Sequence, residues 1–334
     1  MRFAFTDDQL AFADAVRELL ADQCDAARVR AAWDGDGRVP GLWDRLAEMG
    51  VLGMLAPEGT GGLGMADVDL VAILAEGGRA AIPDPLAATA AVAVPTIRDH
   101  AQSDDAERWL AEISAGTARV GVGLSGNVGV LHAADAAIFL LEADDGLHLV
   151  DADVVELQPL DSVDGARRLS AVTWTPSAAT RLPSAELAAS RARDRAAVAT
   201  AAELCGLADT MLAMTVAYVS ERRQFGVPIG SFQAVKHQLA DALVELEFAK
   251  PLVWRAALSR STGDPGASMH ASMAKAVASD AAHTVGLAAL QCHGAIGYTV
   301  ECDLHLWLKR SWALRAQDGD AASHRRLVEA ALLG

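Results

Sequence analysis

A chain of 334 residues, 52% hydrophobic and 22% charged, has enough apolar material for two or three packed units and too much for intrinsic disorder. A formal net charge of −16 repels phosphate backbones and argues against nucleic acid as a partner, so an anionic ligand needs local cations such as Arg222 and Arg223. Met1 to Leu20 is acidic and amphipathic rather than leader-like, and the longest apolar runs are Ala-rich and interrupted, which predicts no membrane span.

In chain order, residues 1–115 read as a helical unit. Thr6 to Gln9 fits the capping-box pattern, and Leu10, Ala13, Val16 and Leu20 follow at helical spacing. A second helix carries Leu42, Leu46 and Met49. The passage Ala56-Pro57-Glu58-Gly59-Thr60-Gly61-Gly62-Leu63-Gly64 is rich enough in glycine for a phosphate loop, but it has no preceding strand and no following Lys-Ser/Thr. It is predicted as a helix-to-helix corner that needs positive φ.

Residues 116–184 change period. Val120, Val122 and Leu124 alternate with small residues. Residues 137–141 and 147–150 flank Asp144-Asp145-Gly146, a hairpin signal, and Leu169 to Thr175 alternate as a last strand. Residues 185–334 return to helix. Leu204, Leu207, Met211, Met214 and Tyr218 form one apolar stripe, and helices are predicted at about 233–257 and 268–291. The class is therefore mostly α with a small central β unit. Cys24, Cys205, Cys292 and Cys302 lack any C-x-x-C pair, which favours buried thiols in a reducing cytoplasm over zinc or disulfides. His293 and His305 lack a supporting ligand spacing and read as core or interface histidines, so no metal is expected.

Glu221-Arg222-Arg223-Gln224-Phe225-Gly226-Val227-Pro228-Ile229-Gly230-Ser231-Phe232-Gln233 closes the long helix with a Gly/Pro turn and two arginines at the corner. By itself Arg222 answers a helix C-terminus and Phe225 plugs a corner. The whole pattern, however, resembles the signature of the acyl-CoA dehydrogenase family, whose corner arginine and phenylalanine grip the FAD of a neighbouring subunit. A guanidinium suits a pyrophosphate oxygen. Gln291-Cys292-His293-Gly294-Ala295-Ile296-Gly297 likewise resembles the family's Q-x-x-G-G-x-G turn, with Ala295 where a second glycine is usual, and residues 57–64 resemble its P-E-x-x-G-G-L-G corner. Arg222, Gln224, Phe225, Gln291 and Gly294 are the cofactor-binding candidates so implied. The implied fold is an N-terminal helical domain, a reduced middle β domain and a C-terminal four-helix bundle.

The family reaction removes the α-proton of an acyl-CoA with a carboxylate while the β-hydrogen leaves as hydride, so it needs a desolvated Glu or Asp. Many members carry that base in a Glu-Gly step near the C-terminus. Here the corresponding residues are Gln317-Asp318-Gly319, and Asp318 matches only with a one-residue gap. Glu203, among alanines at the margin of the apolar stripe and one turn from Gly206, is the preferred candidate. The competing account is a partly exposed glutamate paired with an arginine. Glu247 is weaker, with helix-surface pairing as the default.

The middle segment departs from the pattern. Gly123 to Gly129 stands where relatives carry T-E-x-x-x-G-S, without its Glu, and Trp174 comes too late to match the flavin tryptophan. Retaining residues that reach a neighbour's FAD while losing those that cradle its own resembles the short subunits of actinobacterial heteromeric acyl-CoA dehydrogenases of steroid degradation. That resemblance implies an acyl-CoA substrate, a fuller paralogous subunit as partner and an electron-transferring flavoprotein as electron acceptor. Its rivals are a self-sufficient homo-oligomeric dehydrogenase and a silent scaffold subunit.

Overall fold

The computed structural model describes residues 4–101 and 104–334; the first three residues of the segment read as lacking a leader lie outside it. Thr6 caps α1 (Asp7–Gln23) through the expected box, its hydroxyl accepting from the Gln9 amide while Gln9 Oε1 accepts from the Thr6 amide. Ala13, Val16 and Leu20 are buried, but Leu10 points to solvent. The next helix, α2 (Ala26–Asp34), was not legible in the sequence: it is two turns long and announced only by its Asp25 cap. α3 (Leu42–Glu48) follows and stops before Met49. The glycine corner is a 3₁₀ turn with Gly61 and Gly64 at positive φ, feeding α4 (Asp67–Arg79). A π-helical stretch (Ala87–Ala93) runs into α5 (Val94–His100), and α6 (Asp104–Ser114) closes the unit.

The β segment forms two three-stranded sheets. β1 (Val120–Gly123) pairs in parallel with β3 (Ile138–Ala143), and β3 pairs antiparallel with β4 (Gly146–Asp151) across the Asp144-Asp145 turn, with Ala143 opposite Gly146. β2 (Val130–Leu131) and β5 (Glu156–Leu160) flank β6 (Leu169–Thr173) in the second sheet. β2 is too short, and β5 too exposed, to show an alternating pattern. Val130, Phe139, Leu141 and Val150 form a small separate core, whereas Ile138, Leu140 and Leu147 point the other way, into the main core.

α7 (Ala185–Glu221), α8 (Gln233–Ser261), α9 (Ala267–His293) and α10 (Leu304–Ala316) make the C-terminal bundle, with α11 (Ala321–Leu333) against α9. The expectation that no apolar run is long enough for a bilayer needs correcting for α7. Its most apolar 18-residue window suffices by length and composition, yet 78% of that window is buried inside the protein, which makes it a core helix. The four cysteines are free, and three of them are buried.

α7 and α4 cross at backbone contact. A methyl on Gly206 would fall 1.9 Å from the Ala75 carbonyl oxygen, and one on Gly78 would fall 2.1 Å from that of Glu203. Gly206, one turn from Glu203, lets the two helices touch. The contact fixes the height and rotation of Glu203.

Candidate active site

The bundle end carries one group of candidates. α7 stops at Arg222, whose backbone turns extended, and β7 (Arg223–Gln224) pairs with β8 (Val227–Pro228) as a two-residue hairpin. Its loop residues Phe225 (φ +52) and Gly226 (φ +81) are both left-handed, as a type I′ turn requires. Holding a phenylalanine there is unfavourable, and its ring is 91% exposed, touching Phe232 edge-on at 6.2 Å. Arg223 Nη2 donates to the Gly226 carbonyl at 3.2 Å, whereas the Arg222 guanidinium has no hydrogen bond or ion pair among the described residues. Gln224 is exposed alongside.

Gln291 and Gly294 arrive from α9. Gly294 has φ +65 and ψ −142, a conformation open essentially to glycine alone, with no atom within 4 Å of where a Cβ would sit. Ala295 needs no glycine, since its φ is not positive. Tyr218, one turn before Arg222, stacks on His293 at 4.4 Å, which joins the two segments at one end of the bundle. His293 is buried, with Nδ1 against the Ala289 carbonyl at 2.8 Å, and His305 is buried with Nδ1 against the Cys302 carbonyl at 2.8 Å. A free guanidinium, an outward amide and an uncovered glycine backbone suit a diphosphate presented from outside the chain.

Glu203 belongs to the interior. Arg222 lies about 28 Å further along the same helix at 1.5 Å per residue, so the two groups do not meet within one chain. Glu203 keeps a little accessible surface while protein encloses it, and this burial pushes its carboxyl up from 4.5 to about 7. Arg310 and Arg167 pull the value down and Asp318 adds to the rise. The expected arginine partner does not touch it: the carboxylate has no hydrogen bond or ion pair among the described residues. Arg310 is instead committed to Asp164 and the Ile82 carbonyl, and its Nη2 is buried without a partner among the described residues. Arg167 donates to Gln317.

Asp318 is tied on every side. Oδ1 accepts from Asn127 Nδ2 at 2.8 Å, Oδ2 accepts from the Thr200 hydroxyl at 2.7 Å, and its amide donates to Asn127 Oδ1 at 2.8 Å. Its backbone is left-handed (φ +55), and the neighbouring carbonyls are held too: that of Gly319 by the buried Lys275 ammonium at 2.7 Å and its own by His324 Nε2 at 2.8 Å. Burial pushes Lys275 down from 10.5 to about 8. Glu247 lies on the exposed face of α8, paired with Lys250 at 2.5 Å. Trp174 packs edge-on against His148 at 4.9 Å in the small sheet core.

Two cavities meet at Asp318. An outer one of about 590 Å³ is lined by Ser190, Arg193 and Asp194 of α7, Ser268 and Ser272 of α9, and Arg326 of α11. An inner recess of about 30 Å³, room for roughly one water, is lined by Ala199, Thr200, Asn127, Arg167, Gln317 and Asp318. Arg193, Thr200 and Glu203 follow one another on one side of α7, so that side leads from the outer cavity past the recess toward Glu203. Arg310, Arg167, Asn127 and Lys275 were not singled out in the sequence; of these, only Asn127 falls in a stretch already flagged as departing from the family pattern.

Residues 6–117 match the acyl-CoA dehydrogenase N-terminal domain, and residues 187–333 match the acyl-CoA dehydrogenase C-terminal domain. The chain is 34% identical to acyl-CoA dehydrogenase IpdE2 of Mycolicibacterium smegmatis over 95% of its own length and 96% of the relative's. It is 36% identical to acyl-CoA dehydrogenase FadE34 of Mycobacterium tuberculosis over 85% of its own length but only 41% of that larger protein. Among solved structures it resembles the Tcur3481-Tcur3483 steroid ACAD variant, with a TM-score of 0.87, 25% identity and 98% of each chain covered.

Proposed function

The chain belongs to the acyl-CoA dehydrogenase family, whose members are FAD-dependent oxidoreductases, and from that premise we propose that it is a subunit that desaturates an acyl-CoA thioester together with a fuller paralogue. The observation that carries this reading is Glu203: a carboxylate without a partner, raised to about 7, beyond the inner end of the α7 side that leads in from the cavity. A carboxylate poised near neutrality can take an α-proton and release it again.

The outer cavity suits the pantetheine arm of coenzyme A, because its serines and glycines offer hydroxyls and backbone to amides, while Arg326 at the rim meets phosphate. Glu203 then removes the Cα proton of the thioester, the Cβ hydrogen departs with its electron pair, and the Cα–Cβ double bond forms. FAD, when bound, supplies the hydride acceptor. Arg222, Gln224, Phe225, Gln291 and Gly294 suit the diphosphate end of an FAD whose ring lies on the neighbouring chain: they point outward and are distant from Glu203. The heteromeric partner accords with the paired naming of the steroid ACAD structure, and a bulky steroid-derived acyl group accords with the same name. Electron transfer to an electron-transferring flavoprotein, a cytoplasmic location and the division 1–115, 116–184 and 185–334 belong to the same proposal.

The one-water recess favours a second reading, in which the interior is silent and only the bundle end functions, completing a partner's flavin site. Co-expression with a fuller paralogue, flavin quantitation per chain and turnover of Glu203→Gln in the complex separate the two. Loss of turnover with flavin retained supports Glu203 as the base; unchanged turnover leaves the scaffold reading. A yellow, active protein from this chain alone refutes the need for a partner.

A further inference from the structure

Asp318 and Leu124 line both cavities, so the wall between the outer cavity and the inner recess is built partly from the Asp318 side chain. That wall is braced: Asn127 grips Asp318 by side chain and backbone, and Thr200 holds the second carboxylate oxygen. Three separate elements therefore meet there, namely the β1–β2 loop, α7 and the α10–α11 turn. Lys275 and His324 anchor the turn from behind. With both oxygens accepting hydrogen bonds, Asp318 is poorly placed to act as a base and well placed to act as a bar. Glu203 lines neither cavity; it stands one turn beyond Thr200 on α7, near enough to Asp318 and Arg167 to feel both charges, and an acyl group does not fit the recess of about 30 Å³.

We propose that Asn127 and Asp318 are specificity-determining residues: their bridge, completed by Thr200, gates the passage from the outer cavity to Glu203 and sets how bulky a group reaches it. A slim acyl chain passes with the bridge strained. A polycyclic group passes only when Asn127 swings away with its loop, whose tip residue Gly126 has φ +86 and open space around it. Lys275 and His324 hold the Asp318 side of the gate, so the moving part is the Asn127 side.

Naming Glu203 as the group behind the gate rests on the functional reading above, but the gate is tested without flavin, partner or turnover. In the full chain carrying Glu203→Cys, alkylation at position 203 is followed with iodoacetamide and with a bulky aryl maleimide, the site being localised by fragment masses. Adding Asn127→Ala or Asp318→Ala is expected to raise the maleimide rate at least tenfold and the iodoacetamide rate less. Rates within twofold of the parent in both variants, with circular dichroism and melting unchanged, overturn the gate. Should Asp318→Ala fail to fold, Thr200→Val removes one strut without changing shape; a rise of severalfold supports the gate, and no rise overturns it. Gated labelling of the Glu203→Cys chain beside a wild-type complex that desaturates nothing sinks the functional reading and spares the gate, whereas ungated labelling beside an active wild-type complex sinks the gate alone.

Discussion

Replacing Glu203 by glutamine separates a buried acid from an ordinary surface one through the pH dependence of stability. The folded chain holds the Glu203 carboxyl near 7 against an ordinary 4.5, chiefly because burial penalises the anion. Between those two values the folded state binds more protons than the unfolded one, so stability falls as pH rises, and the loss is complete above about 7. The rise corresponds to a penalty of up to about 3 kcal/mol on the wild type at pH 8, absent at pH 4. Glutamine keeps the shape and carries no charge, so Glu203→Gln is expected to match wild type at pH 4 and to exceed it by up to about 3 kcal/mol at pH 8. Urea unfolding followed by tryptophan fluorescence at both pH values reads the difference. The same displacement of the midpoint at both pH values would falsify the buried, unpartnered carboxylate. In the paralogue complex, the substitution is expected to cost about 10²–10⁴ in turnover, the usual worth of a positioned general base.

Gly206→Ala gains about 1 kcal/mol of helix propensity, but its methyl would lie 1.9 Å from the Ala75 carbonyl oxygen, a backbone atom that cannot rotate away. Overpacking at about 3 kcal/mol wins, and a net loss of roughly 2 kcal/mol is expected in urea titration; a stabilised variant refutes the close crossing. Arg222→Ala removes a solvated, unpaired guanidinium, so the lone chain should change by less than about 0.5 kcal/mol, while the complex should lose flavin, measured as absorbance per protomer. Full flavin content in that variant sinks the diphosphate assignment. Lys275→Met strips the Gly319 carbonyl of its donor, at a cost of about 1–3 kcal/mol. Because burial lowers Lys275 to about 8, the unfolded state binds the extra proton between there and 10.5, and the wild type should gain on the variant as pH rises across that window. A gap independent of pH shows that the ammonium is not buried.

Local chemistry in the sequence determined much on its own. The Thr6 box, the left-handed corner at Gly61 and Gly64, the Asp144-Asp145 hairpin and the apolar stripe of α7 are decided by neighbours a few residues apart, and each appears where the pattern put it. The turn at the bundle end was legible for the same reason, since Arg222 to Phe225 are one continuous stretch of chain, while the cofactor role of those residues belongs to the proposal. Tertiary structure decided the rest. Helix α2 is too short to show a period, and the membrane-length apolar window of α7 became a core helix only because α4, α8, α9, α10 and the sheet edge at β4 cover it. The interior site brings Asn127, Asp164, Arg167, Thr200, Glu203, Lys275, Arg310 and Asp318 together from distant parts of the chain, and no local pattern encodes a meeting of that kind. Enclosure, which raises the Glu203 carboxyl and lowers the Lys275 ammonium, is a property of all the atoms around a charge, and it exists only once the chain has folded.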